Sequence, residues 1–209
     1  NSPKQTYGEY RVGDIRYQDI NGDGVIDSQD EVALGYTNMP EIVYGFGATA
    51  QWKNWDFNVF FQGVAHTSFF LVGASLRSPF SSGSMERSAV NEDIYGNVWM
   101  STNTPEQNDR AIYPRLSLSN QAGSSNNNQT SDWWLRDGSF LRLKNFEIGY
   151  TLPKKLLGKN FIRSLRFYVA ANNLLTFCNF KLWDPEKGSS DGSGYPLNRV
   201  VTLGFNINL

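Results

Sequence analysis

From Ile42 to Trp52 the chain reads IVYGFGATAQW, and its apolar residues fall on alternate positions. Ile42, Tyr44, Phe46, Ala48, Ala50 and Trp52 form one set, with Gly45, Gly47, Thr49 and Gln51 between them. A period of two puts the first set on one face of a strand and scatters it around a helix, so it constrains the fold more than any other feature. The pattern resumes after Lys53-Asn54, where Trp55, Phe57, Val59 and Phe61 alternate with Asp56, Asn58 and Gln62, which predicts a hairpin with a two-residue turn. Residues 164–173 set Leu165, Phe167, Val169 and Ala171 against Arg166, Tyr168 and Asn172. Residues 199–209 set Val201, Leu203, Phe205, Ile207 and Leu209 against Thr202, Gly204, Asn206 and Asn208. A fifth strand over 140–152 keeps Phe146, Ile148, Tyr150 and Leu152 in phase and shifts near Lys144, as a β-bulge would.

The connections alternate in length: a turn at 53–54, a long stretch to about 138, a short link at 153–162 and a loop at about 177–196. Up-and-down membrane barrels have this habit, with short periplasmic turns and long extracellular loops. Trp52, Trp55 and Tyr150 lie at the short connections, where an interfacial aromatic girdle belongs. Aromatic residues make up 14% of the chain although the mean hydropathy is -0.44, a combination suited to strands with one apolar and one polar face. Segment 101–131, with its run AGSSNNNQTS, reads as a mobile polar loop. The other architecture with these strands is a soluble, calcium-stabilised β-sandwich that binds carbohydrate, its apolar faces turned to a shared core.

Composition excludes several classes. Nineteen basic and 20 acidic residues give a net charge of -1 without a basic field, so nucleic acid is not an expected partner. The single cysteine, Cys178, forms no internal disulfide and reads as a packed or lipid-facing small residue. One His and one Cys do not make a zinc set. The chain has neither a long apolar run nor a signal peptide, so it is expected to be cytosolic, or else a mature or partial product.

DINGDGVIDSQD, residues 19–30, crowds carboxylates as a calcium loop does. Asp19, Asn21, Asp23, Val25 through its carbonyl, Asp27 and Asp30 fall at positions 1, 3, 5, 7, 9 and 12, with Gly24 at the sharp turn. Asp30 stands where a bidentate Glu is usual, and Glu31 is at hand to assist. The bland reading is a solvated turn, since Asn, Asp and Gly are also the common turn residues. No enzyme is expected. His66 has no nucleophile at a recognisable spacing, and Asp184 with Glu186 in LWDPEKG reads as a solvated loop pair rather than a glycosidase couple. Trp133, Trp134 and Trp183 are loop aromatics able to stack on a sugar or pack on their own rim.

The last strand carries Thr202, Gly204, Ile207 and Leu209 in the order polar, x, Gly, x, x, apolar, x, apolar, which looks like the assembly signal of outer-membrane barrels. With GDIRYQDINGDGVIDSQDEVALG, YGFGATAQWKNWDFNVFFQG, WWLRDGSFLRLKNFEIGYTLP and LRFYVAANNLLTF, the chain resembles the C-terminal part of SusC/RagA-type TonB-linked outer-membrane transporters. The resemblance implies an all-β fold, with about five of the roughly 22 strands of a large transmembrane antiparallel barrel. It implies an extracellular loop with the calcium motif over 1–40, and the end of the barrel over 41–209 with a long extracellular loop at about 71–138. It also implies a SusD-like lipoprotein partner, TonB acting through a plug outside this chain, contact with outer-membrane lipid, and uptake of oligosaccharide or peptide.

Overall fold

The computed structural model describes residues 3–71, 92, 94–117, 125–158, 161–187, 192 and 195–209. Its strands are β1 (Lys4–Gln5), β2 (Val25–Ile26), β3 (Ile42–Trp52), β4 (Trp55–Ala65), β5 (Ser68–Phe70), β6 (Leu135–Asp137), β7 (Phe140–Thr151), β8 (Ser164–Cys178) and β9 (Val200–Asn208). The chain divides into two compact units.

The unit holding residues 36–68 and 137–187 with the final strand is one antiparallel sheet in the order β3-β4-β7-β8-β9. All five expected strands are present. Trp52 pairs with Trp55 across the predicted two-residue turn, and Lys53 takes the left-handed conformation there (φ 57°). Asn54 ties that turn to the next strand: its side chain donates to the Thr151 carbonyl at 2.7 Å, and its own carbonyl accepts from Thr151 N–H at 2.8 Å.

The expected bulge is found, and register explains why one strand alone changes phase. Phe60 and Phe61 of β4 are consecutive, whereas their partners on β7, Asn145 and Leu143, have Lys144 between them. The partners of those two on β8, Asn172 and Leu175, have two residues between them, Asn173 and Leu174. One extra residue inverts the alternation of β7, and two restore it on β8. Asn173 absorbs the distortion in the left-handed region (φ 53°), which an asparagine tolerates, and the strand continues to Cys178, close to the expected start of the loop at about 177.

The other unit takes in residues 3–35, 69–71, 92, 94–117, 125–136 and 192 of the described chain. Ile15, Ile26, Leu71, Ile94, Val98, Tyr113 and Trp134 are buried there. β1 and β2 pair in parallel, and a one-turn helix, Pro105–Asp109, is capped by Thr104, whose hydroxyl accepts from Gln107 N–H. Segment 101–131 was expected to be a mobile polar loop, but its described ends are built into the unit. Asn126 and Asn127 are fully buried. Asn126 receives a hydrogen bond from Gln5 Nε2 at 2.6 Å and donates to the Ile15 carbonyl at 2.7 Å. Asn127 accepts from Ile15 N–H at 2.8 Å and donates to Asp14 at 2.9 Å. Amides carry donors and acceptors together, so a polar run can serve as a core once each group is matched. Among the described residues no helix is long and apolar enough to cross a membrane, which says nothing of strands.

Candidate functional site

Register sorts the side chains of the sheet into two faces of opposite character. One face carries Trp52, Trp55, Tyr150, Phe167 and Phe205 in a single row across all five strands, each the cross-strand partner of the next. Trp55 and Tyr150 meet with ring centroids 4.7 Å apart, Phe167 and Phe205 at 6.5 Å, and Lys53 Nζ lies 4.7 Å from the Trp52 ring. The three expected girdle residues are therefore together, and the row continues through Phe167 and Phe205, which the sequence reading had not included. Their spacing from the turns hides this. It becomes visible only once β7, β8 and β9 are in register.

Above that row the same face is aliphatic and aromatic throughout, with Phe57 against Phe146 at 5.5 Å and Phe46 against Phe61 at 5.2 Å. It is also uncovered: Trp52 is 67% exposed, Phe205 61% and Leu203 78%. A side chain of this kind gains roughly 1.5–3 kcal/mol when removed from water, so a continuous face of them requires an apolar surround. The five long strands form one sheet, where a sandwich would divide them between two.

The opposite face is polar and cross-braced. Near the turn end the Arg166 guanidinium bridges Asp56 on β4 and Glu147 on β7, with Glu147 at 2.6 Å. Midway, Asn145 donates to Asn172 at 2.9 Å. At the far end Arg142, 1% exposed, meets Asp184 at 2.5 Å and Glu186 at 3.4 Å, while Lys144 reaches Glu186 at 3.3 Å. Asp184 and Glu186 were expected to be a solvated pair. They are also the counter-charges of a buried arginine, because Arg142 lies buried on this face and its sheet neighbours Gln62 and Thr176 carry no charge, although Glu186 keeps 31% of its side-chain exposure. The sequence hides this pairing, since 42 residues separate Arg142 from Asp184.

Cys178 shares a row with Phe140 on this polar side, its thiol 2.9 Å from the Phe180 carbonyl, so it is packed rather than lipid-facing. Trp134 is fully buried and donates from its indole to the Asn127 carbonyl at 2.9 Å, which removes it as a platform for sugars. Trp133 is 36% exposed, and Trp183 packs edge-to-face on Phe180 at 4.8 Å. His66 stacks on Tyr36 at 4.4 Å and pairs with Glu41 at 3.3 Å.

The acidic loop is closed into a ring by its own backbone. Asp19 accepts from Gly22 N–H at 2.6 Å and Gly24 N–H at 2.9 Å, Asn21 from Asp23 N–H at 2.9 Å and Asp23 from Val25 N–H at 2.8 Å. Asp27 caps the short turn Ser28–Asp30 through Gln29 N–H. Asp30 reaches across the ring: one oxygen accepts from Ile20 and Asn21 N–H, the other from Asp27 N–H. The Asp27 amide is the largest influence holding the Asp30 carboxyl below its ordinary range, with the Ile20 and Asn21 amides adding to it. The ladder with β1 uses the carbonyls of Gly24 and Ile26, which leaves that of Val25 on the other side. The last position of the motif is thus hydrogen-bonded to the amides that follow the first, with oxygen-bearing side chains around the ring. Among the described residues no three His, Cys, Asp or Glu side chains are placed together to hold a metal ion.

Thr202, Gly204 and Ile207 lie in β9, opposite Ala170, Tyr168 and Leu165, and Leu209 follows its last residue. Gly204 lies under the Tyr168 ring, where a Cβ would collide with it.

No family model matches the chain. A TonB-dependent receptor of Formosa agariphila, P26, is 31% identical over 210 residues, covering 94% of this chain and 20% of the receptor. A second from the same organism, P3, is 30% identical and covers 96% of this chain and 19% of the receptor. The TonB-dependent receptor SusC of Bacteroides thetaiotaomicron is 26% identical over 194 residues, covering 91% and 17%. The RagAB peptide importer in its closed-closed state superposes with a TM-score of 0.66 at 26% identity, covering 96% of this chain and 21% of that one. The chain thus spans about a fifth of the length of these relatives.

Proposed function

Because this chain belongs to the TonB-dependent receptors of the SusC/RagA type, we propose that it is C-terminal barrel wall of an outer-membrane importer. The observation that carries this reading is the sheet itself, apolar and uncovered on one face and charged and cross-braced on the other. In a barrel the first face meets lipid and the second lines the interior. The open edges of β3 and β9 then pair with strands elsewhere in the receptor, since an unpaired edge in hydrocarbon costs several kcal/mol per polar group.

With the aromatic row at the periplasmic boundary, β3, β7 and β9 descend and β4 and β8 ascend. Residues 1–40 and the long connection from about 71 to 138 are then extracellular. A SusD-like lipoprotein docks on that side, and TonB acts from the other through the plug. The solute is an oligosaccharide: the interior face offers the neutral amides Asn58, Gln62, Asn145, Asn172 and Asn206, which suit hydroxyl-rich ligands. A peptide is the second reading, favoured by the structural likeness to the RagAB peptide importer. Growth of a deletion strain on defined oligosaccharides and on peptides separates the two, and normal growth on all of them contradicts the importer assignment.

The acidic loop binds calcium through Asp19, Asn21, Asp23, the Val25 carbonyl, Asp27 and Asp30. The spacing of the oxygen-bearing residues supports this, together with the Asp30 carboxylate that closes the loop onto the Ile20 and Asn21 amides, and the ion would draw the remaining carboxylates inward. The ion is structural and pins a surface loop. In the full-length receptor, a chelator should speed hydrogen exchange over 14–35 while the strands from 42 onward hold. Equal protection with and without calcium refutes the site.

A further inference from the structure

The first residues of the connection that leaves β8 do not run outward into solvent. Its residues 179–187 fold back on the polar face of the sheet and are fixed there by the arginine of β7. Arg142 is almost wholly removed from water, and its counter-charges, Asp184 at 2.5 Å and Glu186 at 3.4 Å, both come from this loop. Lys144, two positions along, supplies a second contact to Glu186 at 3.3 Å, so two cations meet two anions. The loop is prepared for this seat: Asp184 also accepts from Glu186 N–H at 3.0 Å, Lys181 Nζ donates to the Cys178 carbonyl at 2.6 Å, and Phe180 and Pro185 are buried. A loop of no consequence would leave its carboxylates in water, where they are best solvated. Here Asp184, with a side chain 16% exposed, is drawn largely out of water against the buried Arg142, while Glu186 stays 31% exposed, and removing Asp184 would leave the buried arginine short of its main counter-charge.

We propose that residues 179–187 are a strap latched across the interior face of the barrel wall by Arg142, and that this strap narrows the solute passage. The inference rests on the barrel reading, in which the polar face is the interior. The two cations and two anions of the latch carry no net charge between them, and the strap acts on a solute chiefly through the space it fills.

The test uses the full-length receptor in outer membranes, with Asp184→Asn and the charge-reversed pair Arg142→Asp with Asp184→Arg. Hydrogen exchange over 179–187 should rise about tenfold or more in Asp184→Asn while β3 and β4 keep their protection. The reversed pair should recover much of the wild-type protection. Uptake of the growth substrate, per receptor present in the membrane, should differ from wild type in Asp184→Asn and return toward it in the reversed pair. Unchanged exchange over 179–187 in Asp184→Asn overturns the latch. Faster exchange with wild-type uptake overturns its role in the passage. Failure of the barrel reading shows separately, as wild-type receptor missing from the outer-membrane fraction.

Discussion

Arg166 carries much of the bracing at the turn end of the polar face, where one guanidinium answers two carboxylates from two other strands. Its planar fork suits this task, and Cζ also lies 5.2 Å from the Tyr168 ring. Arg166→Ala leaves Asp56 and Glu147 facing each other without their shared cation, and should lower unfolding stability by roughly 1–3 kcal/mol. Arg166→Lys should recover only part, since an ammonium cannot make the two-pronged contact to Asp56. Denaturant unfolding of the detergent-refolded receptor measures both, and an unchanged midpoint for Arg166→Ala contradicts the account. The sequence showed these residues as polar positions of alternating strands without showing that they meet. Their pairing depends on strand neighbours set by the long connection between Ala65 and Phe140, which no local pattern encodes. Asn126 and Asn127 were hidden differently: an amide looks alike in a loop and in a matched core, and only the partners Gln5, Ile15 and Asp14 tell them apart.

Among the elements, the acidic loop is most sensitive to conditions. Asp30 accepts three backbone N–H groups as a carboxylate, and its proton affinity is depressed, chiefly by the Asp27 amide. A depressed carboxyl lends stability that is complete above its ordinary range and lost as pH falls through its folded value. The ring over 19–30 should therefore be intact at neutral pH and loosen only below the usual carboxylate range, before the strands do. Amide exchange at Ile20, Asn21 and Asp27 across an acid titration reads this directly, and protection unchanged well below that range contradicts it. Asp30→Asn keeps the shape while removing the charge, and should weaken the ring at neutral pH. The terminal strand is the other exposed element. Ile207 lies on the apolar face opposite Leu165 and is 48% exposed in the chain by itself. Ile207→Asp places a charge toward lipid near the boundary and spoils the pattern resembling the assembly signal, so outer-membrane levels of the receptor should fall sharply. Wild-type levels of that variant argue against the signal.

For the molecule as a whole, what was legible in the sequence was whatever repeats at short range. Alternation located five strands nearly to the residue, the turn at Lys53-Asn54 and the phase change at Lys144, because strand geometry imposes these locally. Strand order, the buried latch at Arg142 and the asparagine core arise from long-range pairing and lay beyond that reach. Uncovered apolar faces on this scale have one physical remedy in a sheet that closes on itself, namely lipid outside and polar groups within. The central claim is therefore an orientation, and spin labels placed one at a time along β4 in the full-length receptor in lipid test it most directly. Labels at Phe57, Val59 and Phe61 should be relaxed by oxygen dissolved in the hydrocarbon and ignored by a water-soluble nickel reagent, while labels at Asp56, Asn58 and Gln62 should show the reverse. Loss of that alternation, or water access at Phe57, Val59 and Phe61, would contradict the account.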